Sequence, residues 1–364
     1  MTTRPFGTFF LPGPTEVRAE ILAAMLQPMM SHRSPEFEAL YARCDEGMRR
    51  LFRTTRPVFI SSSSATGLME GAVRNAPAGR ILSLVNGAFS ARFAEIARAC
   101  GRTVDMLQVP YGEIVPLERV EEALRAQRFA AVTAAHSETS TGAAQDVQAI
   151  AAMAHANGAY SLIDSVSGLG GIPVETDAWA LDFVLTGSQK ALALPPGLAF
   201  CCVSDRYLAS AGDAPARGKY FDIVEFAAYA AKRQTPNTPA VSLFYALDAQ
   251  MAAIGPTGTE CRWARHAAMA AVTHAWVETQ RKDGRLDGIL APCGARSNTV
   301  TVVKTRAGTD ARTVVDAVQA RGLTLGGGYG SMAGTTFRVG HMGDHTVETV
   351  SGLLAVVEEV LAHG

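Results

Sequence analysis

Three polar residues follow three separate apolar segments of the chain, and their types could carry out chemistry together. Lys190 comes shortly after the segment FVLTG, Asp164 closes YSLID, and His136 closes AAVTAAH. Lys190 is isolated, because the next charged residue along the chain is Asp205. A lysine and an aspartate on neighbouring buried strands could form a structural ion pair, which is weak evidence for any function. The alternative, a reactive amine beside a carboxylate, needs support from the residues around them.

Two polar segments and one arginine could bind anions near these residues. FISSSSATGLMEGAV (59–73) leads from an apolar stretch through serine and threonine into a helix that begins near Thr66. The N–H groups at a helix N-terminus bind phosphate well. HSETSTG (136–142) also follows an apolar segment, and Arg338 in FRVGHMGD suits a bidentate contact with a carboxylate. The plainer interpretations are a serine-rich helix cap and an arginine at the edge of a strand.

Together, these residue types fit one cofactor. A lysine can form a Schiff base with an aldehyde, a carboxylate can keep a pyridine nitrogen protonated, and a helix N-terminus can bind a phosphate. That set describes pyridoxal 5′-phosphate (PLP), whose protonated ring accepts electrons in carbanion chemistry. No metal is expected, because the six cysteines show neither a CxxC pattern nor clustering with histidine.

The elements that position these residues alternate between strand and helix from about residue 55 to residue 205. The strands correspond to the runs RILSLV, FAAVTAAH, YSLIDSV, DFVLTGS and LAFCCVS. Strands that are apolar on both faces and separated by helices predict an α/β fold with a mostly parallel central sheet and helices on both faces. Functional residues of such sheets gather at the carboxyl ends of the strands. Earlier in the chain, SPEFEALYARCDEGMRRLF predicts an amphipathic helix with Ser34 as its N-cap.

The pattern changes after the segment RQTPNTPAVSLFYALDAQ. A long helical stretch is followed by SNTVTVVKT, DARTVVDAVQARG, TTFRVGHMG and a final helix, which predicts a smaller C-terminal α+β domain. We place the large PLP-binding domain, with the N-terminal segment, at residues 1–255 and the small domain at residues 256–364.

Composition limits the classes of partner. The 364 residues are 48% hydrophobic and 18% charged, so a large core is expected. The net charge is −1 and no basic stripe occurs, which argues against nucleic acid as a partner. No apolar run approaches the roughly 20 residues of a membrane span, and MTTRPFGTFFLPGPTEV has no apolar core typical of a signal peptide. With cysteines that suggest a reducing compartment, we expect a cytoplasmic protein.

Several segments, in order along the chain, resemble the class V, fold-type I aminotransferases. They are LPGPTEV, SHRSPEF, HSETSTG, LIDSVSGLGG, TGSQKAL, TPNTP and FRVGHMG. The resemblance is strongest to the branch of alanine/serine–glyoxylate (pyruvate) aminotransferases and 2-aminoethylphosphonate–pyruvate transaminases. It covers nearly the whole chain, and it is more specific for the superfamily than for the substrate.

The resemblance implies which residues would surround the cofactor ring. Lys190 matches the Schiff-base lysine, and Asp164 matches the partner of the pyridine nitrogen. Val166 would pack on one face of the ring and Phe89 would stack on the other, where relatives often have tryptophan. Thr139 matches a residue near the ring hydroxyl.

The same resemblance implies a phosphate site. Ser64, Ala65 and Thr66 match the phosphate-binding turn, although relatives commonly have glycine at the position of Ala65. Gln189 matches a contact with the phosphate or with the loop beside the lysine. Thr238 resembles a phosphate ligand that reaches in from the neighbouring subunit, so the resemblance implies a homodimer with shared active sites.

The implied reaction moves an amino group from a small amino acid, alanine or serine, to a 2-oxo acid, glyoxylate or pyruvate. Lys190, once released from its Schiff base, would act as general base and acid between the substrate Cα and C4′, and Arg338 would bind the substrate α-carboxylate. Exchange between 2-aminoethylphosphonate and pyruvate stays open and would need another cation, for which Arg33 and Arg92 are candidates. Ureidoglycine–glyoxylate and pyridoxamine–pyruvate exchange also occur in the family and stay open.

Three other classes of protein are weighed against this function. Cysteine desulfurases and amino-acid decarboxylases commonly carry histidine directly before the lysine, where this chain has Gln189. GYGSMA (328–333) satisfies the dinucleotide-binding pattern G-x-G-x-x-A, but only 36 residues follow Gly328, too few for a βαβ unit and its acidic residue. We expect this segment to be a loop near the active site. A non-catalytic binding protein would have no need for Lys190, Asp164 and Arg338 together.

The remaining polar candidates receive weaker assignments. His136 is expected to support the site rather than transfer protons, and His341 is expected to be structural. His32 and Arg33 lie in a region of dimer contact in the family. The position of Thr235 is occupied by tyrosine in some relatives, so its role stays open.

Overall fold

The apolar segments of the sequence form strands of two main sheets, and helices connect them. The computed structural model describes residues 5–214 and 216–363. In this part of the chain the strands are β1 (Phe9–Phe10), β2 (Val58–Ser61), β3 (Ile81–Val85), β4 (Val104–Gln108), β5 (Ala131–Ala135), β6 (Ser137–Glu138), β7 (Ala143–Ala144), β8 (Tyr160–Asp164), β9 (Phe183–Gly187), β10 (Ala199–Val203), β11 (Leu286–Ile289), β12 (Val300–Thr305), β13 (Thr324–Gly327) and β14 (Thr336–Gly340).

Helices make up most of the remaining regular structure. They are α1 (Ala19–Ala24), α2 (Pro35–Phe52), α3 (Ala65–Arg74), α4 (Ala88–Ala99), α5 (Leu117–Ala126), α6 (Val147–Ala156), α7 (Asp205–Ala211), α8 (Ile223–Ala230), α9 (Val241–Ile254), α10 (Gly258–Lys282), α11 (Ala311–Ala320) and α12 (Val347–His363). Within the described residues, no helix combines the length and the apolar character that crossing a membrane requires.

The larger sheet has seven strands in the order β2, β10, β9, β8, β5, β3, β4. β10 runs antiparallel to β2 and β9, and every other neighbouring pair is parallel. β3, β5 and β9 are buried along their whole length, which explains why the sequence shows them as continuous apolar runs. The predicted α/β fold with a mostly parallel central sheet is confirmed.

Helices cover both faces of this sheet, as the sequence predicts. The core on one face contains residues of α2, α5, α6 and α9, and the core on the other contains residues of α3, α4, α7 and α8. On β9, Val184 belongs to the first core, whereas Phe183 and Leu185 belong to the second. The pleat of the strand imposes this alternation. Because β5, β8 and β9 are adjacent and parallel, their carboxyl ends meet at one edge of the sheet.

Two predicted helix starts are confirmed. The Ser34 side chain accepts a hydrogen bond from the Phe37 N–H at the start of α2, and Pro35 occupies the first helical position. α3 begins at Ala65, next to the predicted start at Thr66.

The smaller sheet has five strands in the order β1, β13, β14, β12, β11. β1 pairs in parallel with β13, so Phe9 lies beside Thr324 although the two are far apart in the chain. The N-terminal segment is predicted in the large domain, whereas this pairing places residues 9–10 in the sheet of the C-terminal part. The domain boundary between residues 255 and 256 stays a prediction.

A buried ion cluster around Asp344 joins the N-terminal segment to the C-terminal part. The Asp344 carboxylate accepts hydrogen bonds from Arg18 Nε at 2.7 Å, Arg262 Nη1 at 2.9 Å and Gln250 Nε2 at 3.0 Å. Burial alone would raise the pKa of Asp344, but the charge of Arg262 and these hydrogen bonds outweigh it and lower the pKa to about 2. The cluster therefore stabilises the folded chain only while Asp344 is ionised.

We expect Asp344→Asn to destabilise the protein by about 3–5 kcal/mol at pH 7, because it leaves the buried Arg262 guanidinium without a counter-charge. The folded-state pKa lies below that of the unfolded chain, so the contribution is complete above about pH 4 and is lost as the pH falls toward 2. Denaturant unfolding between pH 7 and pH 3 measures both effects. Asp287→Asn, at an exposed position of β11, is the control. A deficit that does not shrink below pH 4 would contradict this assignment.

Candidate active site

One cavity collects most of the residues that the sequence analysis assigned to the cofactor. It lies at the carboxyl ends of the parallel strands, beside the N-termini of α3 and α4. Its walls are formed by Ser64, Ala65, Thr66, Met69, Phe89, Arg92, Ser137, Thr139, Asp164, Val166, Ser167, Gln189 and Lys190. Nine of the ten predicted cofactor residues are among them, and Thr238 is the exception. Their individual roles stay predictions, but the structure brings the nine together.

Lys190 projects into this cavity from the loop after β9, and only 7% of the residue is exposed. Its Nζ donates a hydrogen bond to the Pro12 carbonyl and lies 5.8 Å from the centroid of the Phe89 ring. Within the described residues, the polar contact of Lys190 Nζ is this carbonyl and not a carboxylate at ion-pair distance. The amine is therefore held in place without being neutralised by a counter-charge.

The surroundings of Lys190 lower its pKa and so increase the fraction in the neutral form. Burial and the positive charge of Arg338 lower the pKa of Lys190 to about 8, while Asp164 and Glu138 oppose that shift. Since the ordinary value is 10.5, a much larger fraction of the amine is unprotonated near neutral pH. A nucleophile or a general base requires this.

Asp164 ends β8 at the floor of the same cavity and is 5% exposed. Its Oδ1 accepts a hydrogen bond from Val166 N at 2.8 Å. Burial raises its pKa to about 7, although the Val166 hydrogen bond lowers it and so, more weakly, does Lys190. A buried carboxylate of this kind is incompletely ionised unless a cation comes beside it, and a protonated pyridine nitrogen is such a cation.

The N-terminus of α3 is open toward the cavity. Ser64 occupies the N-cap, but its side chain makes no capping hydrogen bond, unlike Ser34 at α2 and Ser204 at α7. The side chain of Gln189 folds back over Gly187, where a Cβ would come within 2.7 Å of its Oε1. The helix N-terminus and the hydroxyl groups of Ser64 and Thr66 thus fit a phosphate.

Arg338 reaches the site from β14 of the smaller sheet. Its Nε donates to the Gly327 carbonyl at 2.7 Å, and its Nη1 lies 3.5 Å from the Thr139 carbonyl. Burial lowers the pKa of this guanidinium, and none of its contacts among the described residues is an ion pair. Tyr329 lies beside it, with the ring centroid 5.7 Å from Arg338 Cζ. The guanidinium therefore has capacity left for an anion.

Tyr329 confirms that the loop containing GYGSMA lies at the active site. Its ring is 5.4 Å from the Phe89 ring, and its hydroxyl accepts a hydrogen bond from Arg92 Nη2 at 3.2 Å. Arg92 also lies over the Phe89 ring at 4.8 Å. Neither Tyr329 nor Arg92 was assigned to the cofactor site from sequence, although Arg92 was considered as a cation for a phosphonate.

Other predicted residues lie elsewhere. Thr238 lines a separate surface depression with Thr235, so one chain alone does not bring it to Lys190. Arg33 donates to the carbonyls of Thr235 at 2.8 Å and Pro236 at 3.2 Å. Its guanidinium thus holds the TPNTP loop and does not line the cavity of its own chain.

The two histidines near the site have supporting contacts. His136 Nδ1 is hydrogen-bonded to Ser165 Oγ at 3.0 Å, and burial lowers the pKa of His136 to about 4. The ring is therefore neutral at physiological pH. His341 is hydrogen-bonded to Thr301 Oγ1 at 2.7 Å and to the Asn298 carbonyl at 3.0 Å. Both observations agree with the roles expected from the sequence.

The N-terminal segment forms a wall that the sequence analysis missed. Thr15 Oγ1 donates to the Lys190 carbonyl at 3.0 Å, and Thr15 N donates to the Gln189 carbonyl at 2.9 Å. A Cβ at Gly13 would lie 2.5 Å from Lys190 Cδ and Cε and 2.7 Å from Nζ. The motif LPGPTEV was visible in the sequence, but nothing local indicated that it meets a lysine more than 170 residues later.

The arrangement defines a class of enzyme. A mostly parallel seven-stranded sheet with one reversed strand carries a lysine and an aspartate at its edge, beside an open helix N-terminus, as in PLP-dependent enzymes of fold type I. The family model described as "Aminotransferase class-V" matches residues 17–336. The chain belongs to this family, and it is a PLP-dependent transaminase.

Individual relatives agree with this family. An L-aspartate–glyoxylate aminotransferase of Paracoccus denitrificans (strain Pd 1222) is 33% identical over 366 residues, which cover 97% of this chain and 90% of the relative. A serine–glyoxylate aminotransferase of Methylorubrum extorquens (strain ATCC 14718 / DSM 1338 / JCM 2805 / NCIMB 9133 / AM1) is 32% identical, with 96% and 89% covered. The crystal structure of an alanine–glyoxylate aminotransferase from Nostoc sp. superposes with a TM-score of 0.89 at 30% identity and covers 97% of this chain and 95% of that one.

We expect Gly13→Ala to weaken PLP binding, because the new methyl group would overlap the Lys190 side chain. The backbone at Gly13 also has a φ of +113°, which costs a non-glycine residue about 1–3 kcal/mol. Gly101→Ala separates the two effects, since Gly101 has a φ of +78° but open space at its Cβ. Titration of the apoprotein with PLP measures the dissociation constant. Equal affinity in the two variants would show that Gly13 does not position the lysine.

Proposed function

We propose that this enzyme transfers the amino group of a small amino acid, alanine or serine, to a 2-oxo acid such as glyoxylate or pyruvate. The observation that carries the proposal is the unpaired, buried Lys190 in one cavity with Asp164, next to Arg338. Serine–glyoxylate and alanine–glyoxylate aminotransferases are among the relatives, which supports this substrate class.

Within one chain, the residues that we propose to hold PLP all line the cavity. Lys190 is the residue of covalent attachment, and Asp164 binds the ring nitrogen. Val166 and Phe89 border the ring, Thr139 lies near its hydroxyl, and the phosphate site is formed by Ser64, Ala65, Thr66 and Gln189. When bound, PLP supplies an electron sink that stabilises negative charge on the substrate Cα.

The protein's own part in the reaction is binding, proton transfer and exclusion of water. Arg338 binds the substrate α-carboxylate through a guanidinium that lacks an ion-pair partner. Lys190 would take a proton from the substrate Cα and deliver it to C4′ of PLP in the first half of the exchange, and would carry a proton from C4′ to Cα in the second half. Its pKa of about 8 permits this near neutral pH. The segment from Pro12 to Thr15 covers the lysine and limits access of water to its amine.

A homodimer with shared active sites belongs to this proposal. Thr238 is a phosphate ligand for the neighbouring subunit, which would explain why it lies outside the cavity of its own chain. A cytoplasmic location is likewise proposed, supported by the six cysteines, all of which are free.

A second candidate is a donor with an anionic side chain, such as aspartate or 2-aminoethylphosphonate. Arg92 favours it, because its guanidinium lines the cavity and is bound there only to aromatic groups, Phe89 and Tyr329, among the described residues. The L-aspartate–glyoxylate aminotransferase among the relatives agrees with this alternative. A desulfurase-like lyase is less consistent with the cavity, because no cysteine lines it.

A panel of donors and acceptors tests the reaction. We expect alanine or serine with glyoxylate or pyruvate to give the highest kcat/KM, measured by product formation and by bleaching of the cofactor absorbance. Lys190→Ala should lower kcat by about 10²–10⁴-fold or more, since it removes the acid–base group. It should also abolish covalent attachment of PLP, seen by mass spectrometry after borohydride reduction. Wild-type turnover in Lys190→Ala would refute the assignment.

Two arginine variants distinguish the candidate donors. We expect Arg338→Lys to raise KM by about 10-fold or more for every donor and acceptor that has an α-carboxylate, because lysine cannot form the bidentate contact with that group. Under the first candidate, Arg92→Lys should leave kcat/KM for alanine and serine unchanged. Under the second, it should lower kcat/KM only for aspartate or 2-aminoethylphosphonate. Steady-state kinetics across the panel gives both answers. An unchanged KM for all substrates in Arg338→Lys would remove Arg338 from the substrate site.

A further inference from the structure

Glu138 is a fully buried carboxylate in the HSETSTG segment, at the end of β6, and it has no assigned role. Among the described residues it has no lysine or arginine at ion-pair distance, and a buried charge without compensation costs several kcal/mol. Its hydrogen bonds must therefore compensate for the lost hydration. The donors of these hydrogen bonds show which segments the carboxylate holds together.

One carboxylate oxygen caps the first turn of α4. Glu138 Oε2 accepts hydrogen bonds from Phe89 N at 3.1 Å, Ser90 N at 2.8 Å and Ser90 Oγ at 3.0 Å. The other oxygen, Oε1, accepts from Ser140 N at 3.1 Å and Ser140 Oγ at 2.7 Å. A negative charge at a helix N-terminus satisfies free N–H groups and interacts favourably with the helix dipole.

The contact between Glu138 and α4 depends on the residue at the helix N-cap. α4 has glycine, Gly87, at its N-cap, so no N-cap side chain accepts from the first-turn N–H groups, and the Ser90 hydroxyl accepts instead from the backbone before them, from Gly87 N at 3.1 Å. A Cβ at Gly87 would overlap Cγ and Cδ of Glu138. The carboxylate therefore takes the place of a local cap from a segment about 50 residues later in the chain.

Phe89 is the residue that this cap places. Its backbone N–H is bound by Glu138, its ring lines the cavity, and the ring centroid is 5.8 Å from Lys190 Nζ. We propose that Glu138 is a positioning residue, whose carboxylate holds the first turn of α4 so that Phe89 keeps its place at the PLP ring, and whose charge acts on the bound cofactor. This rests on the proposed function in that PLP occupies the cavity, but not on the identity of the amino donor.

The charge of Glu138 also reaches the reacting groups. The titratable and charged groups that face this region come from five elements and the loops beside them: Tyr111 after β4, Asp164 on β8, Lys190 after β9, Arg338 on β14 with Tyr329 in the loop before it, and Arg92 with Glu95 on α4. Glu138 raises the pKa values of both Lys190 and Asp164. A helix cap that only stabilised the fold would not act on the pKa values of these two groups.

Three variants separate the effect of the Glu138 hydrogen bonds on α4 from the effect of the Glu138 charge. Glu138→Gln keeps the shape but removes the charge, and Glu138→Ala removes both. Ser140→Ala keeps the charge while removing one hydroxyl donor to Oε1 and the acceptor of the Ala88 N–H at the start of α4. The apparent pKa of the bound PLP absorbance and the PLP dissociation constant are measured by titration, without any amino donor. Far-UV circular dichroism and thermal unfolding of the apoproteins report folding.

In Glu138→Gln we expect PLP affinity to fall by about 10–100-fold. The apparent pKa of the absorbance should fall by about one pH unit, because the protonated form loses a nearby negative charge. Glu138→Ala should weaken binding further, and Ser140→Ala should leave the apparent pKa unchanged. If Glu138→Gln does not fold, Ser90→Ala serves instead and should weaken PLP binding without moving the apparent pKa.

Wild-type affinity and an unchanged apparent pKa in folded Glu138→Gln would overturn the proposal. The proposal would also be overturned if Glu138→Gln lost only thermal stability while PLP affinity and the apparent pKa stayed unchanged, since an ordinary helix cap predicts that result. Wild-type PLP affinity in Ser90→Ala would overturn it if that variant has to be used. If instead the donor panel yields no transamination while Glu138→Gln still changes the PLP titration, the proposed function fails and the role of Glu138 stands.

Discussion

The active site depends on keeping a buried ammonium and a buried carboxylate from neutralising each other. Lys190 and Asp164 line one cavity but are not within ion-pair distance, so burial outweighs their mutual attraction in both pKa values. Desolvation lowers the pKa of the lysine and raises that of the aspartate, which leaves both groups ready to interact with a ligand. A direct ion pair would have restored the charged forms and occupied both groups.

The sheet and its connections maintain this separation. Asp164 ends β8, whereas Lys190 lies beyond the end of the neighbouring β9, where Thr15 binds its carbonyl and Pro12 accepts from its amine. The cavity is thus assembled from the larger sheet, the N-terminal segment and the smaller sheet that supplies Arg338 on β14. No single element contains enough of the site to function alone.

The sequence predicted the features that depend on local pattern. Buried parallel strands appear as continuous apolar runs, so β5, β8 and β9 could be recognised, and a polar residue closing such a run, such as Asp164, points to the functional edge. The contacts of Glu138 with α4 and of Pro12 with Lys190 join segments about 50 and nearly 180 residues apart. Neither contact produces a hydrophobic periodicity or a composition bias that could be recognised in the sequence. Thr238 shows a further limit, because its assignment concerns a second chain.

The pairing of β1 with β13 attaches the N-terminal segment to the smaller sheet. Pro12 follows β1 by two residues, so the acceptor of the Lys190 hydrogen bond is tethered to the smaller sheet, while the lysine itself belongs to the larger one. Any hinge movement between the sheets would stretch that hydrogen bond and change the hydration of the amine. The relative position of the two sheets and the basicity of the lysine are thereby linked through a covalent chain of a few residues.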